Sequence, residues 1–131
     1  MKVKDVMIPV GKFPIIEQTT ILKEALTEMG ETNLGLVCIV NNNKELIGLI
    51  TDGDLRRKLL EVQKPFSYFF IDDALIHAEK NPITCSPDDE LKKIVNLMGD
   101  KQIWDLPVVI DKNKKLVGLL HLHPAVKKLI D

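Results

Sequence analysis

Two stretches of this chain place apolar residues at the spacing of one helix face. In the first, Ile21, Leu22, Ala25, Leu26 and Met29 recur behind Thr19 and Thr20. The pattern predicts an amphipathic helix with a threonine N-cap and Gly30 as its stop. In the second, Ser86-Pro87-Asp88 leads into Leu91, Ile94, Val95 and Met98 and ends at Gly99. This is a second amphipathic helix, with acids in a first turn where the helix dipole favours them. Each helix is followed by two short β-branched runs, residues 36–40 with 46–51 and 107–110 with 116–121. The turn-forming Asn41-Asn42-Asn43-Lys44 and Asp111-Lys112-Asn113-Lys114 between them make each pair a hairpin. A closing helix is predicted over residues 54–60 in one half and 124–130 in the other, with Pro124 at a tolerated first-turn position.

These parallels are an internal repeat. Asn43-Lys44-Glu45-Leu46-Ile47-Gly48-Leu49 returns as Asn113-Lys114-Lys115-Leu116-Val117-Gly118-Leu119, and Met29-Gly30 as Met98-Gly99. Near the start, Val3-Lys4-Asp5-Val6-Met7 pairs with Ile71-Asp72-Asp73-Ala74-Leu75. A repeat fixes architecture more firmly than propensity does. The unit reads β-α-β-β-α behind a short lead-in, an α/β (α+β) fold in which residues 1–65 form repeat 1 and residues 66–131 repeat 2.

Composition narrows the function classes. The chain has 131 residues, 45% hydrophobic and 28% charged, which suits a folded globular protein rather than a disordered tail. Its formal charge of −1 supplies no pull toward nucleic acid or a membrane surface. The apolar runs are too short to span a bilayer, and the first residues lack a signal-peptide core. The expected location is the cytoplasm. Cys38 and Cys85 are far apart with no Cys-x-x-Cys pattern, and Cys38 is expected to pack as a reduced thiol. Four of the six aromatic residues fall within residues 66–70. They either cover the joint between repeats or form a self-association surface.

The most informative local motif is Gly48-x-x-Thr51-x-x-Asp54. Thr51 ends a strand and Asp54 begins a helix, so a hydroxyl, backbone N–H groups and a carboxylate converge at a helix N-terminus. Such an end favours anions. A phosphate there would take the N–H groups and the Thr51 hydroxyl, Asp54 would accept from a ribose diol, and Arg56 and Arg57 would add positive charge. The competing structural reading is that Thr51 or Asp54 is the helix N-cap. In the second copy His121 stands at the threonine position and Pro124 at the acid position, so the ribose acceptor is missing and the two copies are inequivalent. His121-x-His123 would share an ion if the run were a strand, but two ligands make a weak site and no metal is assigned. His77 is read as a solvated helix-end residue. The pairs Asp52 with Asp54, Asp72 with Asp73 and Asp88 with Asp89 have no evident base, nucleophile or metal partner, and capping accounts for the last. No phosphate-loop, dinucleotide or nucleophile-elbow motif is present, so a non-catalytic protein is expected.

The duplicated unit, with Leu106-Pro107-Val108-Val109-Ile110 ahead of Asn113-Lys114-Lys115-Leu116-Val117-Gly118-Leu119 and with Thr51-Asp52-Gly53-Asp54 closing a strand, resembles a tandem CBS pair, the Bateman module. The segments 49–57 and 119–123, with Asn33-Leu34-Gly35-Leu36 and Asn81-Pro82-Ile83-Thr84, are similar to the carboxyl-terminal CBS region of arabinose 5-phosphate isomerases of the Kdo pathway. That resemblance implies two repeats related by a pseudo-two-fold, packed as one module that binds an adenosyl nucleotide in the cleft between copies. Thr51 and Asp54 match the family's phosphate and ribose residues. Ile16 and Val37 are the implied further contacts in the first copy, and Thr84, Pro107, His121 and His123 in the second. The same resemblance implies a regulatory module with no required cofactor, and a nucleotide or CMP-sugar effector such as CMP-Kdo. It also implies a homodimer or higher oligomer, and a SIS-type sugar isomerase partner domain for which this chain has no room. A ligand-independent oligomerisation module, or the regulatory CBS pair of a sugar-nucleotide transferase, is the alternative.

Overall fold

Both hairpins form where the β-branched runs place them in the computed structural model, which describes residues 1–61 and 63–131. Strands β3 (Leu36–Val40) and β4 (Leu46–Thr51) pair antiparallel from Leu36 opposite Thr51 to Ile39 opposite Gly48, with a bulge between Ile39 and Val40. Strands β5 (Asp105–Ile110) and β6 (Lys115–His121) repeat the register, with Asp105 opposite His121, Val108 opposite Gly118 and a bulge between Val108 and Val109. In the first turn the Asn41 side-chain oxygen accepts from the amides of Asn43 at 2.9 Å and Glu45 at 3.0 Å. This is the local bonding that makes asparagine a turn residue. Short β2 (Ile15–Glu17) joins β3 in parallel, and β1 (Ile8–Pro9) joins β6 antiparallel. The sheets are thus β2-β3-β4 and β1-β6-β5.

Helices α1 (Leu22–Thr32), α2 (Asp52–Glu61), α3 (Phe66–Ile71), α4 (Leu91–Lys101) and α5 (Leu122–Ile130), with 3-10 turns at Val3–Asp5 and Ala74–His77, complete the described elements. Their ends differ from the sequence expectation in three ways. Thr19 and Thr20 do not cap α1, whose N-cap is Ile21 without a side-chain bond. The Thr20 carbonyl instead accepts the Ala74 amide at 2.8 Å. Gly30 and Gly99 lie inside their helices, and the left-handed residues that end them are Asn33 (φ 56°) and Gln102 (φ 57°). After α4 the amide of Gln102 donates to the Gly99 carbonyl at 3.3 Å and that of Ile103 to Met98 at 2.9 Å, a Schellman ending. Finally, Asp88 and Asp89 lie before α4 rather than in its first turn. The Ser86 amide donates to Asp89 Oδ2 at 2.9 Å, folding the turn that precedes the helix.

Packing does not follow a single cut at residue 65. One compact unit is Phe13–Pro82; the other joins Met1–Lys12 to Ile83–Asp131. Each unit therefore combines the body of one repeat with the lead-in of the other. In the first, Phe69 and Ala74 are buried with Ile16, Leu22, Val37, Ile39 and Ile50. The Leu22 amide donates to the Asp72 carbonyl at 2.9 Å. In the second, Val3 is buried with Cys85, Leu91, Met98, Leu106 and Leu120, and the Leu91 amide donates to the Met1 carbonyl at 2.9 Å. The lead-in crosses its sheet at the repeated glycine. A Cβ on Gly118 would lie 3.1 Å from the Ile8 carbonyl oxygen, and one on Gly48 would lie 3.1 Å from the Ala78 Cβ. Cys38 is buried in β3, and burial pushes the Cys85 thiol up to about 12. Among the described residues no helix is long and apolar enough to cross a membrane.

Candidate functional site

The strand-to-helix turn from β4 into α2 brings Thr51, Asp54 and Arg57 together. The Thr51 amide donates to Asp54 Oδ2 at 3.1 Å, and the Asp54 amide donates to Thr51 Oγ1 at 3.2 Å. This is a reciprocal capping box, in which each side chain satisfies an amide that the helix leaves unpaired. One turn on, Arg57 Nη2 donates to Asp54 Oδ1 at 2.8 Å. Both readings of this motif thus rest on the same atoms: the cap is formed, and the cap holds a hydroxyl, a carboxylate and a guanidinium at the positive end of a ten-residue helix. Arg56 is exposed on α2. Ile16 and Val37 are core residues of the same unit, 6% and 0% exposed.

Beside this turn lies a depression of about 260 Å³, lined by Asp54, Arg57, Lys58, Glu61, His77, Ala78 and Glu79. His77 is not the solvated residue the sequence suggests. Its side chain is 11% exposed, its Nε2 is 2.9 Å from Asp72 Oδ2, and its ring meets the buried Phe69 edge-on at 4.5 Å. Asp72, with no partner evident in the sequence, also accepts from Lys64 Nζ at 2.6 Å. The hydrogen bonds from Lys64 and then from His77 hold its carboxyl below the usual carboxylate range. The only sequence signal for this cluster is the run of aromatics just before it.

In the other unit, the residues matching Thr51 and Asp54 are arranged differently. His121 ends β6 as the N-cap residue of α5 without bonding the helix. Its Nδ1 instead meets Asp105 Oδ1 at 2.6 Å, across the strand pair. Burial raises the Asp105 carboxyl pKa, and the bond to His121 opposes that rise. His123 is exposed in the first turn of α5. The two imidazoles therefore do not alternate along one strand as a shared-ion reading requires. Among the described residues no group of three or more histidine, cysteine or acidic side chains is arranged to hold a metal ion. Half-buried Thr84 precedes Cys85, whose amide donates to the carbonyl of buried Pro107 at 3.1 Å.

A family profile described as the CBS domain matches this chain twice, over residues 3–61 and 73–123. The chain belongs to the CBS domain family. The CBS pair is 34% identical over 130 residues to an uncharacterized protein of Helicobacter pylori strain J99, covering 97% of this chain and 37% of that one. It is 28% identical over 127 residues to arabinose 5-phosphate isomerase KdsD of Escherichia coli K12, with the same coverages. The chain thus spans a little over a third of the length of these relatives. Among solved structures, the CBS-pair protein CBSX2 of Arabidopsis thaliana in complex with AMP superposes with a TM-score of 0.84 at 23% identity, over 98% of this chain and 96% of that one. That likeness confirms the α+β fold of duplicated units read from the repeat.

Proposed function

We propose that this CBS pair is a regulatory nucleotide-binding module that modulates an attached or associated sugar-phosphate isomerase and has no catalysis of its own. The observation that carries the reading is the Thr51–Asp54–Arg57 assembly at the N-terminal end of α2. The helix end and the Thr51 hydroxyl suit a phosphate, and Asp54 suits a ribose diol. The AMP bound by CBSX2 and the isomerase name carried by the Escherichia coli relative support the nucleotide and the enzyme. In this role the effector binds one of two states of the pair better than the other, and so biases the enzyme joined to it. Because Pro124 replaces the acid and His121 is committed to Asp105, the Thr51 copy is the better nucleotide site.

Calorimetry of the chain against AMP, ATP, S-adenosylmethionine, CMP and CMP-Kdo tests this. At least one ligand is expected to bind, and Asp54→Ala to abolish the heat. Silence from all five at millimolar concentration overturns the reading.

The second reading, a ligand-independent self-association module, is favoured by α3, where Phe66, Tyr68 and Ile71 are 57%, 59% and 60% exposed. Light scattering that shows a dimer or larger assembly, together with silent calorimetry, would select it.

A further inference from the structure

His77 lines the same depression as Asp54 and Arg57 but has no part in the nucleotide site proposed above. Its Nε2 lies 2.9 Å from Asp72 Oδ2, the oxygen that also accepts from Lys64. An ionised carboxylate only accepts hydrogen bonds, so Nε2 carries the ring hydrogen and the neutral imidazole keeps its lone pair at Nδ1. Nδ1 has no hydrogen-bond partner among the described residues, and no enclosed side-chain nitrogen or oxygen among them lacks one. Nδ1 is therefore reachable from solvent, and the depression is the space that this mostly buried ring lines.

On α2 the lining carries Asp54, Arg57, Lys58 and Glu61, and past His77 it carries Glu79. Asp72 and Lys64, on either side of α3, pair with each other at 2.6 Å. With His77 neutral, the three acids of the lining stand against two bases, a surplus that opposes an anion. Protonation evens the count and turns Nδ1 from an acceptor into a donor. Histidine is also the one side-chain type in this group whose charge ordinarily changes between about pH 5 and pH 8.

We propose that His77 is a further binding residue of this site, one that takes up a proton as a nucleoside phosphate enters and donates from Nδ1 to a phosphate oxygen; this rests on the nucleotide-site reading above. The proton comes from solvent, and the ring stays anchored to Asp72 through Nε2. Affinity for the nucleotide then rises as the pH falls. A ligand that instead gave a hydrogen to Nδ1 would bind less well in acid.

Calorimetry of AMP, ATP and CMP at pH 6 and pH 8 tests this on the unaltered chain and on His77→Gln, whose amide can donate to Asp72 but does not titrate. The phosphate of a nucleotide changes charge near pH 6 itself, so the quantity read is the difference between the two proteins. The gain in affinity from pH 8 to pH 6 should be roughly tenfold larger for the unaltered chain, the scale of one charge-assisted hydrogen bond. In buffers of high and low ionisation heat at pH 7, binding should take up more protons in the unaltered chain than in the variant. If the variant does not fold, proton NMR of the unaltered chain decides: AMP added at pH 7 should move the His77 imidazole signals in the direction that acid moves them. An equal pH dependence in the two proteins, or His77 signals that AMP leaves in place or moves the other way, overturns the role of His77 and spares the site. Silence from these three nucleotides removes the role of His77, and silence from all five ligands named above removes the site as well.

Discussion

Asp72 and Asp105 are each hydrogen-bonded to a histidine, yet their carboxyl groups move in opposite directions. Lys64 and His77 pull Asp72 below the ordinary carboxyl value of 3.8. Its contribution to stability is therefore present above 3.8 and lost as the pH falls through the lowered folded value. Burial raises Asp105 above 3.8, so the folded chain binds that proton more tightly than the unfolded one. Here the favourable contribution exists in acid and is lost as the pH rises through the raised value. Asp72→Asn is expected to destabilise the chain at neutral pH by an amount that shrinks below about pH 4. Asp105→Asn is expected to gain on the unaltered chain as the pH rises from that point. Urea denaturation between pH 3 and pH 7 reads both slopes, and parallel curves for the two variants would contradict the assignment. At this scale, legibility followed sequence distance. Thr51, Asp54 and Arg57 lie within two turns and could be assembled on paper. His77 could not, because Phe69 and Asp72 reach it only after the chain folds back between α3 and the 3-10 turn at Ala74–His77.

At the scale of elements, the two long amphipathic helices carry a glycine that their sequences invite one to read as a stop. The physical reason it is not lies three residues on, where Asn33 and Gln102 adopt the left-handed conformation. Nothing lies within 4 Å of a Cβ placed on Gly30 or Gly99. Gly30→Ala and Gly99→Ala should therefore each stabilise the fold by about 0.5–1 kcal/mol, through a less flexible unfolded chain and better helix propensity. Thermal melts should shift upward by several degrees, whereas a true left-handed stop would shift them downward. Gln102→Gly, which removes the strain of a side chain at positive φ, should move in the same direction by a similar amount, about 1 kcal/mol. The strands were more legible than the helix ends. Residues 36–40 and 46–51 form β3 and β4 at those same limits, because the turn at Asn41 and the run of apolar side chains act locally. A helix end instead depends on which residue tolerates a left-handed backbone, and hydrophobic period alone does not report it.

For the whole molecule, the repeat reveals how many bodies there are but not which segments compose them. The lead-in residues 3–7 and 71–75 are similar in sequence and exchange places in space, a non-local fact that periodicity does not encode. A fragment of residues 1–65 lacks Phe69 and Ala74, both 0% exposed in the unit they complete. It also carries a lead-in whose partner is gone. A fragment of residues 13–82 contains one compact unit whole. Circular dichroism melts are expected to be cooperative for 13–82 and non-cooperative for 1–65. A cooperative, monomeric 1–65 would show that the exchanged lead-ins are dispensable. In the full chain, Val3→Ala should cost about 2 kcal/mol, since Val3, the third residue, is fully buried in one cluster with Leu91 and Leu106.

The exchange also sets an order of events during synthesis. The unit Phe13–Pro82 is one uninterrupted stretch, flanked on both sides by the two parts of the other unit. It can close as soon as Pro82 has left the ribosome, while Met1–Lys12 must wait, with Val3 unburied, until β5 and β6 have been made. By then the intervening chain has become a folded body that holds its own two ends. The loop that the late unit must close is therefore shorter in effect than the residues between Lys12 and Ile83, and its closure entropy correspondingly smaller. The duplicated sequence is thus expected to yield two units that mature at different times, the nested one first.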